Sequence, residues 1–257
     1  MRFDQSIGID YSGAATAESR SKTLQIYAAT GGPPERTIAV PEEGKTHWNW
    51  CRKEIAEYLV DMARKNATFI AGIDHAFSFP ESYFERYDLT SWDEFLSDFV
   101  EHWPTHRPGI YVDFIRDEGA TRLGWPTEFR LCERWTSSAK SVFDFTPGPG
   151  IVAKSTHAGI PWLSHIREEF GDRVHFWPFD GWEIPEGKSA IVEVYPSIFS
   201  ARYPCADRTA DQQDAYATAR WLKEIGDREF LERCLNPPLT DEEQQTARLE
   251  GWILGIA

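Results

Sequence analysis

Five carboxylates stand where an ordinary fold has little use for them. Asp10 ends the apolar run Ile7-Gly8-Ile9 and is followed by Tyr11-Ser12-Gly13, and Asp74 ends the run Phe69-Ile70-Ala71-Gly72-Ile73. Glu193 lies inside Ile191-Val192-Glu193-Val194-Tyr195, and Asp211 and Asp214 sit three residues apart. An ionised carboxylate in an apolar strand faces a large desolvation cost unless something neutralises it. Hard divalent cations such as Mg2+ or Mn2+ take oxygen ligands, and two ions held about 3.5–4 Å apart need carboxylates from several elements. Asp10, Asp74, Glu193, Asp211 and Asp214 are therefore the candidate metal ligands. The chemistry they point to is metal-assisted phosphoester cleavage, one ion activating a water and the other stabilising the leaving oxygen.

Each residue also has a plainer explanation. Asp10, before Tyr11-Ser12-Gly13, and Asp74 can cap turns through their own backbone. Glu193 can face water from an edge strand, and Asp211 and Asp214 suit the positive end of a helix dipole.

The elements that must carry these groups are legible in outline. Residues 6–13 open with a strand, and residues 23–30 and 36–40 are β-rich and separated by Gly31-Gly32-Pro33-Pro34, so an antiparallel meander is expected. Trp48, Cys51, Ile55, Leu59 and Met62 recur at helical spacing, and residues 68–73 form a strand buried on both faces. This βββαβ order predicts a mixed sheet with a parallel pair made by a crossover. Residues of about 80–185 read as an insertion roofing the site. It holds helices over 91–103, 127–135 and 162–170, the breaker Pro147-Gly148-Pro149-Gly150, and a short strand near 174–177. Residues 189–195 return to strand character. A helix over 209–225 follows, capped by Thr209 and Gln212 and buried along Ala215, Ala219 and Leu222, and a last helix covers 241–253. Residues 1–257 are expected to form one domain.

Bulk properties narrow the class. The 257 residues are 41% hydrophobic and 14% aromatic, enough for a sizeable core. With 41 acidic against 27 basic residues, the net charge of -14 opposes non-specific grip on a polyanion. Cys51, Cys132, Cys205 and Cys234 are scattered, which fits neither a zinc site nor a disulfide framework. No signal segment or run of about 18 apolar residues is present. A cytoplasmic protein without a membrane partner is expected.

In order, the motifs are Ile7-Gly8-Ile9-Asp10, then Gly72-Ile73-Asp74 with Pro80, then Arg130-Leu131-Cys132-Glu133, then Glu193-Val194-Tyr195-Pro196, then Asp211-Gln212-Gln213-Asp214-Ala215. This series resembles the ribonuclease H-like superfamily, and more closely a domain-of-unknown-function family grouped with predicted ribonuclease H-like nucleases. The resemblance implies an α/β fold with a central five-stranded mixed sheet flanked by helices, and a helical, aromatic insertion after the fourth strand. It also implies two-metal phosphodiester chemistry on Asp10, Asp74, Glu193 and Asp214 with Mg2+ or Mn2+. The expected partner is a nucleic acid or another phosphoester substrate. Arg130 resembles the arginine of a family Arg/acid pair and is a candidate phosphate ligand, although Arg130 and Glu133 also suit a surface ion pair. Ser12 and Gly13 are candidate substrate contacts, because Gly8-Ile9-Asp10-Tyr11-Ser12-Gly13 also looks like the phosphate hairpin of an actin-like ATPase or phosphotransferase. A non-catalytic binding module on the same fold is the third alternative.

Overall fold

A computed structural model describes residues 3–40, 49–65, 67–119, 121–136, 139–146, 151–227 and 230–257. Trp48 and the breaker at 147–150 lie outside the described residues. Strands β1 (Gln5–Asp10), β2 (Gln25–Ala29) and β3 (Glu35–Thr37) form the expected antiparallel meander. Helix α1 (Arg52–Arg64) then crosses to β4 (Phe69–Ile73), which pairs in parallel with β1. The segment that follows contributes α2 (Glu81–Arg86), α3 (Trp92–His102), α4 (Val112–Phe114), α5 (Leu131–Arg134), α6 (Ala153–Phe170) and β5 (Val174–Trp177). Strand β6 (Ser189–Glu193) and helices α7 (Ala210–Asp227), α8 (Leu231–Leu235) and α9 (Asp241–Glu250) complete the chain.

The sheet runs β3-β2-β1-β4-β6-β5, so it is a mixed sheet of six strands and not five. The sixth strand is Val174-His175-Phe176-Trp177 from inside the insertion, buried along its length and paired in parallel with β6. The insertion therefore extends the main sheet.

Strand pleating sorts the core into two sides, because successive residues point to opposite faces. Ile7, Ile9, Ala71, Ile73, Phe176 and Ile191 pack with residues of α1, α3 and α6. Ile70, Ala190, Val192 and Trp177 pack with residues of α7, α8 and the C-terminal segment.

Several boundaries differ from expectation for identifiable reasons. Helix α6 starts at Ala153, well ahead of Trp162, because its first turns bury Ser155, Thr156, His157 and Gly159 and so lack an apolar stripe. Helix α5 covers only part of 127–135, and α9 stops at Glu250 because Gly251 takes a φ of 82°. The chain then lays Ile253 beside Glu193 in an isolated parallel bridge. Among the described residues, no helix is long and apolar enough to cross a membrane.

Candidate active site

Two parallel strand ends set the first two acids side by side. Ile9 is in register with Ile73, and the Asp74 amide donates to the Ile9 carbonyl at 3.0 Å, which locks the turn after β4 to the last residues of β1. Helix α7 crosses over these strands because Gly8 and Gly72 leave no side chain between. A methyl at Gly8 would stand 2.8 Å from Thr218 Cβ, and one at Gly72 would stand 2.8 Å from Thr218 Cγ2. The N-terminal half of α7 thus brings Asp211 and Asp214, three apart and on one helical face, over Asp10. Asp74, Glu193, Asp211 and Asp214 line a cavity of about 400 Å3, with Arg130, Tyr11, Lys140 and Ser155 also in its wall.

The aspartates are poorly compensated. Asp10 is only 9% exposed, and neither its carboxylate nor that of Asp74 receives a hydrogen bond or ion pair from any described residue. Burial, reinforced by Asp74, Asp211 and Asp214, holds the Asp10 carboxyl well above the usual range. Burial, with Asp214 and Glu193 nearby, pushes Asp74 up to about 8. Asp214 is raised by burial and by Asp211, although Ser200 Oγ donates to it at 2.7 Å, and burial also raises Asp211. Like charges crowded in a low dielectric favour protonation unless a cation joins them.

Glu193 is partnered quite differently. Arg130 grips it through Nη2 to Oε1 at 2.6 Å and Nη1 to Oε2 at 2.8 Å, and the Phe77 amide donates to Oε2 at 3.2 Å. Arg130 Nε also donates to Glu133 Oε1 at 2.9 Å, and Nη1 to the Glu250 carbonyl at 3.1 Å. Arg130, Glu133 and Glu193 are all buried, so this is an interior charge network and not a surface ion pair. These bonds engage four of the five N–H donors of Arg130, which leaves one on Nη2 for a phosphate.

Ser12 and Gly13 belong to the loop after Asp10, which is secured from two sides. The buried Arg52 guanidinium donates to the carbonyls of Ser12 at 3.2 Å, Ala14 at 2.7 Å and Ala15 at 3.0 Å. Gly13 lies against the backbone of Lys154 at the start of α6, where a side chain would collide. His75 is a wedge beside Asp74. Its Nδ1 donates to the Ala76 carbonyl at 2.8 Å, its ring meets Tyr11 edge-on at 4.6 Å, and the space at Gly159 admits its other edge. Burial pushes its imidazole down to about 4.

Sequence reasoning brings Asp10, Asp74, Asp211 and Asp214 together and misses two supports. Arg52 reads as one more polar residue of an amphipathic helix, and the Cys51-Arg52 start carries no signal of a buried cation. Glu250 accepts from the first amides of both α2 and α5, Glu81 at 2.6 Å and Leu131, which nothing in its local spacing suggests.

Among the described residues, no group of three or more His, Cys, Asp or Glu side chains is arranged to hold a metal ion as it stands. In comparisons with known proteins, no family model, curated protein or solved structure matches the chain.

Proposed function

We propose that this chain is a divalent-metal-dependent phosphoesterase, acting on a nucleic acid or another phosphoester, with Asp10, Asp74, Asp211 and Asp214 as its acidic centre. One observation carries the reading: Asp10 is buried and Asp74 half-buried beside it, and neither carboxylate has a hydrogen-bond or ionic partner among the described residues. Their carboxylate oxygens are not fully enclosed, so water or a cation is the partner open to them. The donor set fits a hard cation, since the unpartnered groups are carboxylate oxygens and the neighbouring His75 is already turned to the Ala76 carbonyl. Carboxylates that repel one another do not close on an ion site unaided. When bound, Mg2+ or Mn2+ supplies polarisation of a phosphoryl oxygen and a lowered pKa for an attacking water.

The chain's own residues do the remainder. Asp10 and Asp74 present carboxyl oxygens at the strand ends, Asp214 is oriented by Ser200, and Tyr11 and Ser155 shape the wall against which a phosphoester would lie. A ribonuclease H-like fold is part of the same proposal. Its support is the meander, the α1 crossover, and the parallel β4 and β6 that deliver acids at their C-terminal edge. The phosphotransferase alternative has less support, because the Gly13 backbone is covered by Lys154 and not open to a phosphate.

The test is cleavage of bis(p-nitrophenyl) phosphate and of single-stranded, duplex and branched nucleic acid with Mg2+ or Mn2+. Hydrolysis abolished by chelator and by Asp10→Asn is expected. ATP hydrolysis without any diester cleavage would transfer the site to the phosphotransferase class.

A further inference from the structure

Glu193 lines the same cavity as Asp74, Asp211 and Asp214, yet it leaves its strand on the face opposite Asp10 and its carboxylate is already engaged. Ile73 is opposite Glu193 in the β4–β6 pairing, and Ile9 is opposite Ile73 in the β1–β4 pairing. Ile9, Ile73 and Ile191 belong to the side packed by α1 and α6. Glu193, two residues on from Ile191, points to that same side. Asp10, one residue on from Ile9, shares the opposite side with Gly8, against which α7 lies.

On its own side Glu193 accepts three hydrogen bonds. The two Arg130 nitrogens reach its two oxygens at 2.6 and 2.8 Å, and the Phe77 amide adds a third bond at 3.2 Å. A forked guanidinium fills two of a carboxylate's roughly four lone-pair sites, and the Phe77 amide fills a third. Moving Glu193 onto an ion would leave Arg130, which is 1% exposed, with Glu133 as its sole carboxylate. Breaking one partner out of a buried pair costs about 3–5 kcal/mol. No comparable obstacle surrounds Asp10 or Asp74.

Resting on the metal reading above, we infer that Glu193 is the counter-ion of Arg130 and not a metal ligand, and that the site holds a single divalent ion on Asp10, Asp74 and Asp214. The strand-borne acid that a second ion would need is bound to a guanidinium instead. Arg130 and Glu193 join β6 to the first turn of α5 and to the carbonyl at the end of α9, so their role is to brace the wall behind the aspartates.

Mn2+ titration of the intact chain, followed by calorimetry and by the electron paramagnetic resonance of free Mn2+, tests this. One ion per chain is expected. Glu193→Gln should keep that stoichiometry with less than about a tenfold change in affinity while lowering the melting temperature, whereas Asp74→Asn should weaken binding by more than about 100-fold. Two ions in the wild-type chain, or a loss in Glu193→Gln equal to that in Asp74→Asn, would overturn the inference and leave the metal reading standing. A wild-type chain that takes up no Mn2+ would overturn both. The wild-type stoichiometry decides even where Glu193→Gln does not fold.

Discussion

Gly8 of β1 lies directly beneath Ala215 of α7, so close that a methyl at position 8 would collide with the Ala215 carbonyl oxygen. That contact sets the height of α7 above the sheet. It therefore sets how near Asp211 and Asp214 come to Asp10, two residues along from Gly8 and on the same face.

Gly8→Ala should consequently disturb the site as well as the fold. The obstructing atoms are backbone and cannot rotate away, so α7 must shift, at a cost of about 1–3 kcal/mol for overpacking. Urea denaturation should show that loss, with Mn2+ affinity falling in parallel. An alanine at an exposed helix position away from the site, such as Gln245→Ala on α9, should change neither by a comparable amount.

Replacing Arg130 by Met should be among the most damaging single changes in the chain. It would strand Glu133 and Glu193 as buried carboxylates, costing about 3–5 kcal/mol. Arg130→Lys should recover only part of this, because an ammonium cannot make the forked contact to Glu193 while also serving Glu133 and the Glu250 carbonyl. Thermal unfolding of the two variants beside the wild type gives the comparison.

The strand ends at Asp10 and Asp74 were readable because a short apolar run closed by an acid is a local pattern, whereas Glu193 reads as lying inside a run to Tyr195 and β6 in fact stops at it. The partnership of Glu193 was not readable. It depends on a residue 63 positions away in the chain, and the Arg130–Glu133 spacing of three is equally consistent with a solvated helix pair. Helix α6 was half visible for a related reason. Where both sides of a helix are buried, as around Thr156, His157 and Gly159, small and polar residues replace the periodic stripe that marks an amphipathic one. β5 was visible as a strand, but only pairing with β6 places it in the main sheet.

His157 gives the fold a defined acid sensitivity. Its Nδ1 donates to the Ala153 carbonyl at 2.9 Å, Nε2 has no partner among the described residues, and Phe79, Trp103 and Phe145 surround the ring. Burial pushes its imidazole from 6.5 down to about 4. A folded-state pKa below the unfolded one means the stabilisation is complete above pH 6.5 and is lost as pH falls through about 4. The full loss is on the order of 3 kcal/mol. Chemical denaturation at pH 4.5 and 7.5 should show a smaller difference for His157→Phe than for the wild type.

The most direct measurement is anomalous diffraction from crystals soaked in millimolar Mn2+. One peak bounded by the carboxylates of Asp10, Asp74 and Asp214, with Glu193 still held by Arg130, is the predicted result. Crystals with no anomalous density beside Asp10 and Asp74 would contradict a metal-dependent centre.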